Sequence, residues 1–266
     1  MKHKNIAKRI GLTFLLFTAV FTFFRSSMSG IFSLFYANNG IPDAQISSIK
    51  SFQSIGLLLR LLPAGYLADR VGRLKVLNFS ALTMASSFLL LIFLKGFVFY
   101  AVAELIYDIG LALNSGTLLA YITDLQEKNK IVPSSKLMGM QVTVLNIATL
   151  LGGNIGTCLF SINMKAPIWF AMIGLILYPT FVIIFIKTMN FSDNRAQKKT
   201  DFEATSLFNL LTHFLKKKSF WILLLINIGY NCGTIFVLYY WSIIYVKNLH
   251  FNLSLVYTLF MCAINH

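Results

Sequence analysis

The chain alternates long apolar runs with short polar segments that carry most of its charge. About 20 apolar residues at 1.5 Å each cross a hydrocarbon core of about 30 Å. Runs over 77–94, 97–123, 137–162, 167–186 and 220–246 meet that length. Another run starts at Ile10 and meets Arg25. It reaches spanning length only as one helix continuing to about Phe35, which puts an arginine near mid-membrane. The run over 44–67 contains Lys50 and Arg60. A last apolar stretch, 250–266, reads as a short eighth helix or as the start of one cut off by truncation, and truncation is the favoured reading.

Charge decides the count. With eight spans and a cytoplasmic N-terminus, the basic clusters in 2–9, 70–75, 128–136 and 187–218 all lie inside, leaving Lys95, Lys165 and Lys247 outside. That is the asymmetry of the positive-inside rule. Without the span over 44–67 every later loop changes side, so that span is kept. The expected organisation is a six-helix transmembrane bundle over 1–187, a basic cytoplasmic linker over 188–218 and the start of a second, incomplete bundle over 219–266. Within the linker, 207–215 can form a short interfacial helix.

Composition agrees. Hydrophobic residues make up 57% and charged ones 12%, against about a quarter charged in soluble domains. Mean hydropathy is +0.71. The net charge of +14 does not point to nucleic acid, because the basic residues lie between apolar runs rather than on one hydrated face. The basic start is no signal peptide: its apolar run is too long and lacks a small-residue cleavage site. Three cysteines inside apolar stretches read as small buried hydrophobes. The four histidines form no ligand cluster, and neither G-x-x-x-x-G-K-[ST] nor H-E-x-x-H occurs. No enzyme, cofactor or metal site is expected.

Ionisable residues within spans cost at least about 2.5 kcal/mol each and usually face a partner or a cavity. Arg25 lies about 21 Å into the first span; Glu104 and Asp108 lie about 10 and 16 Å from the outer end of the fourth. Spaced by four, the two acids share a helix face with Leu111 and Ser115. Lys50 is expected to snorkel to the outer surface; Arg60 has no assigned partner. Asn227, Tyr230, Asn231 and Thr234 make a polar stripe on the seventh span, which suits either a cavity wall or interhelical hydrogen bonding. Tyr239, Tyr240 and Trp241 read as interface anchors. Gly152, Gly153 and Gly156 read as a close-packing face.

The segment 65–77, Gly-Tyr-Leu-Ala-Asp-Arg-Val-Gly-Arg-Leu-Lys-Val-Leu, resembles the signature loop of the major facilitator superfamily. Gly65, Leu67, Ala68, Asp69, Arg70, Gly72, Arg73 and Leu77 match; Leu74 departs, with Lys75 beside it as substitute. The end of the fourth span, 114–124, is similar to that region in drug-exporter-like branches. The resemblance implies an all-α polytopic fold of two six-helix bundles, of which this chain holds the first plus one to two helices of the second. It implies a gating latch of Asp69, Arg70 and Arg73 joined by Asp124, where the loop read alone is a plain topogenic cluster. Because helices one, four and seven line the family's cavity, it brings Arg25 towards Glu104 and Asp108. One acid then pairs with Arg25 while the other titrates, or the group is a static ion pair. Ser115, Asn227, Tyr230 and Asn231 would line the same pathway.

The expected activity is secondary transport by alternating access, as proton-coupled efflux of a small amphipathic or cationic molecule, with an anion selected by Arg25 as the other reading. Its partners are that substrate, the lipid bilayer and a coupling proton, with no nucleic acid, in a bacterial plasma membrane. The alternatives are a non-transporting truncated fragment or sensor that keeps the fold, and a dimer of incomplete halves.

Overall fold

The computed structural model describes residues 2–50, 68, 70–132, 134–189, 217–218, 221–222, 225–226, 243–248 and 252–264. The chain forms two compact units, one of Met1–Phe191 with Ser242–His266 and one of Ser192–Trp241. In the second, residues 218, 221, 222, 225 and 226 are helical.

The first unit is all-helical among the described residues. It comprises α1 (Lys2–Ser26), α2 (Phe32–Asn38), a helical stretch over 43–50, α3 (Arg73–Phe93), α4 (Phe97–Lys128), α5 (Ser135–Ile162), α6 (Ala166–Met189), a π-helical turn (Ile243–Asn248) and α7 (Leu253–Ile264). Asn5–Ser26 of α1 and the whole of α3, α4, α5 and α6 are long and apolar enough to cross a membrane. Most of the expected seventh span, of the second and of the linker lies outside the described residues.

Sidedness of the helices is that of a bilayer protein. Helix α3, which packs on α4 and α6, buries Val76, Leu77, Ser80, Ala81, Met84, Phe88 and Leu91 and turns Phe79, Leu82, Leu89 and Phe93 outward. The outer faces are apolar, while Ser80, Ser87, Glu104, Asp108, Asn114 and Thr117 are inside. Lipid tails are as apolar as leucine, so nothing drives the leucines inward; polar groups do need internal partners.

One expected element is corrected. The first span does not run as a single helix through Arg25 to Phe35. Helix α1 stops at Ser26, residues 27–31 form turns, and α2 follows. The sequence there is Ser-Ser-Met-Ser-Gly, and the hydroxyls of Ser26, Ser27 and Ser29 donate to the carbonyls three residues back at 3.2, 2.9 and 2.8 Å. Such bonds compete with the helical ladder, and Gly30 weakens it further. The Ser26 hydroxyl also lies 3.3 Å from the Ala148 carbonyl on α5, and that of Ser27 3.3 Å from the Pro167 carbonyl on α6. The backbone of the interrupted segment pairs locally, Ser29 N–H donating to the Ser26 carbonyl at 2.9 Å and Ile31 N–H to the Met28 carbonyl at 3.1 Å, while its serine hydroxyls reach the neighbouring helices.

The glycine face of α5 makes this approach possible, as the packing reading expects. A Cβ on Gly152 would land on the Phe23 carbonyl, and one on Gly156 on the Ser27 carbonyl. On the same helix Asn154 Oδ1 accepts from Ser254 at 3.3 Å and Thr258 at 2.7 Å, docking α7. The Tyr257 hydroxyl, 3.0 Å from the Thr149 carbonyl and 3.0 Å from Ser29 Oγ, ties α7 to both α5 and the turn after α1.

Candidate functional site

The break after α1 sets up a buried polar cluster. It leaves Arg25 in the last turn of α1, where a cation suits the helix dipole, and it redirects the chain so that Phe32 and Tyr36 face α4. From α4 come Glu104, Tyr107 and Asp108; Lys50 enters from the helical stretch over 43–50. Lys50, Glu104 and Asp108 are each 1% exposed.

Glu104 is the hub. Its Oε1 accepts from the Tyr36 hydroxyl at 2.5 Å and from the Lys50 ammonium in a buried ion pair. The ammonium sits 4.0 Å from the centroid of the Phe32 ring and 5.7 Å from that of Tyr36. Tyr36 stacks on Tyr100 with centroids 4.9 Å apart. Phe32 meets Tyr107 edge-on at 5.6 Å. Arg25 donates to the Tyr107 hydroxyl at 2.9 Å, so tyrosine rather than carboxylate receives the guanidinium. Asp108 lies one turn along the same helix from Glu104.

Two expectations change here. The ion pair on Glu104 belongs to Lys50, not to Arg25, and Lys50 does not snorkel to the surface. The physical reason is depth. Lys50 is about 9 Å into a helix beginning near Ala44, and Glu104 about 10 Å into α4 from the same side. A carboxylate at matching depth outcompetes a reach to the interface. That arithmetic was available from the sequence, whereas the parts played by Tyr36, Phe32 and Tyr107 had no signal in it. Ser115, expected to continue the acidic face, is exposed and donates to the Ala112 carbonyl at 3.3 Å. It is not drawn into the cluster. Asn227, Tyr230 and Asn231 lie outside the described residues.

A second group of candidates forms at the other end of α4. Gly72 precedes α3 with φ of 113°, a conformation that favours glycine. Arg73 Nη1 lies 2.7 Å from Asp124 Oδ1 and also donates to the Ala120 carbonyl. The side chain of Asp124 is 45% exposed and that of Arg73 17%, so the pair is water-facing at least in part. Arg70 is exposed; Gly65 and Asp69 lie outside the described residues. Among the described residues no group of three or more His, Cys, Asp or Glu is arranged to hold a metal ion.

A family model described as Major Facilitator Superfamily matches residues 14–265. Neither curated proteins nor solved structures gave a match.

Proposed function

Because the chain belongs to the Major Facilitator Superfamily, a family of membrane transporters, we propose that it carries out proton-coupled efflux of a small amphipathic or cationic molecule by alternating access. The observation that carries this reading is the cluster around Glu104. Two carboxylates and two cations sit inside the helical unit, at a cost of at least about 2.5 kcal/mol for each charge. Orienting helices needs far less: the Tyr257 and Asn154 hydrogen bonds already do so between α5 and α7. An expensive cluster on facing helices is the usual mark of an ion or substrate path.

In this reading Asp108 carries the coupling proton. Glu104, held by Tyr36 and Lys50, keeps a fixed negative end beside it. Protonation of Asp108 removes a negative charge from a low-dielectric site, so each proton taken up weakens the hold on a bound cation. Arg25 and Tyr107 flank the path and Ser115 lies further along α4; Asn227, Tyr230 and Asn231, outside the described residues, are candidates by their helical spacing alone. Gly65, Asp69, Arg70, Gly72 and Arg73 with Asp124 form the gating latch, which closes in one access state and opens in the other. The same reading includes a cytoplasmic N-terminus in a bacterial plasma membrane, and the bundle, linker and second-bundle boundaries at 187 and 218.

The test is proton flux and cationic-dye efflux from liposomes holding the purified chain. Asp108→Asn should abolish pH-driven flux while inserting normally. Unchanged flux in that variant refutes the coupling assignment, and silence in both chains favours the non-transporting alternative.

A further inference from the structure

We propose that the Lys50 ammonium is a built-in competitor for the substrate: it occupies the binding place for an organic ammonium ion, formed by the Glu104 carboxylate and the ring faces of Phe32 and Tyr36, and the substrate's cationic end takes that place when Lys50 withdraws. The proposal rests on the transport reading and names the class of molecule moved.

A buried salt bridge needs only a carboxylate. This one also has aromatic faces, with the nitrogen 4.0 Å from the Phe32 centroid and 5.7 Å from that of Tyr36. Carboxylate plus ring faces is the recognition chemistry of alkylammonium groups. The binding place does not depend on its present occupant. Tyr36 fixes Glu104 by a 2.5 Å hydrogen bond, and Tyr100 stacks behind Tyr36. Tyr107 braces Phe32. All of these come from α2 and α4, whereas Lys50 arrives on the separate helical stretch over 43–50. A movement of that stretch removes the ammonium and leaves the rest assembled.

Glu104 has capacity for a ligand as well. Its Oε2 is buried and accepts no hydrogen bond among the described residues, so the carboxylate has an unused acceptor beside the bound nitrogen. A lysine suits the role of a releasable occupant: its ammonium is a compact charge on a flexible stem, and it does not clamp a carboxylate at two points as a guanidinium does. Exchange of one ammonium for another keeps Glu104 paired throughout, avoiding the penalty of a bare buried carboxylate.

The probes are benzyltrimethylammonium as cation and benzoate as anion, with the purified 266-residue chain in lipid nanodiscs. The first measurement needs no substitution. Saturating benzyltrimethylammonium should raise labelling of Lys50 by a membrane-permeant acylating reagent, read by mass spectrometry, because the displaced amine becomes reachable. Titration calorimetry should then show Lys50→Met binding the cation at least about tenfold tighter than wild type. Adding Glu104→Gln should erase the gain, and Lys50→Arg should show none. No rise in labelling, or no gain in a folded Lys50→Met chain, overturns the proposal. So does benzoate binding that is lost in Lys50→Met, since Lys50 would then be an anion ligand. If Lys50→Met fails to fold, the labelling result decides alone. Cation binding as expected without any flux would retain the binding place and remove the transport reading; flux lost in Asp108→Asn without cation binding would do the reverse.

Discussion

Breaking the Lys50–Glu104 pair from either side should destabilise the chain, and breaking it from both sides should restore much of the loss. Both partners are 1% exposed, so removing one takes from the other its closest counter-charge in the interior, at up to about 3–5 kcal/mol. Proton exchange caps these penalties. At pH 7, taking up a proton costs an ordinary glutamic acid about 3.7 kcal/mol, and giving one up costs an ordinary lysine about 4.6 kcal/mol. Lys50→Met should therefore lose up to about 3.7 kcal/mol and Glu104→Gln up to about 4.6 kcal/mol. The double variant keeps a neutral acceptor for Tyr36 and deprives only Asp108 of the Lys50 charge, so it should recover much of the loss of either single variant. The pH trend follows the sign of the stranded charge. Protonation rescues Lys50→Met, so its deficit shrinks below pH 7; deprotonation rescues Glu104→Gln, so its deficit shrinks above pH 7. Unfolding in mixed micelles titrated with dodecyl sulfate, followed by far-ultraviolet circular dichroism at pH 5.5, 7 and 8.5, reads all four chains. A double variant as unstable as the sum of the singles, or single variants whose deficits ignore pH, would refute the buried pair.

Two further outcomes test the packing around it. Gly156→Val should destabilise the unit by about 1–3 kcal/mol, because its side chain meets the Ser27 carbonyl; the same unfolding titration should show unchanged stability for Gly139→Val, whose site is open. Cys158 Sγ lies 4.0 Å from Ser254 Oγ, so Ser254→Cys, with Cys232 and Cys262 replaced by serine, should cross-link α5 to α7 under mild oxidation, seen as loss of free thiol by mass spectrometry.

Most of the transmembrane skeleton was legible because a bilayer imposes one simple rule, a long apolar run, and α3, α4, α5 and α6 obey it. The ends of these helices differ from the apolar runs by a few residues because polar residues such as Arg73 and Lys128 extend the helix into the interface. The break after Ser26 was hidden because Ser26 to Gly30 contains no proline and no charge. Its cause is hydroxyl competition for carbonyls, helped by carbonyls of α5 and α6 that accept from the same hydroxyls. In the cluster, the identities of Arg25, Glu104 and Asp108 stood out as charges in spans, but pairing is set by rotation as well as depth. Depth alone matches Lys50 to Glu104; only the turn at 27–31 decides that Tyr107 meets Arg25 and that Tyr36 reaches the acid. The Arg73–Asp124 contact was legible through the signature loop, while its exposed setting was not.

The separation of Lys50 from Glu104 along the chain, 54 residues, bears on how the protein is made. Synthesis at about 5–20 residues per second puts roughly 3–11 s between the emergence of the lysine and that of its carboxylate. For that interval the segment around Lys50 has no counter-charge at its own depth, and full insertion would leave an ammonium alone in hydrocarbon. The nascent segment is therefore best held at the lipid surface or beside the insertion machinery until α4 enters. The pair thus sets an order of assembly, in which the helical stretch that carries Lys50 settles into the interior only after α4 has begun to enter.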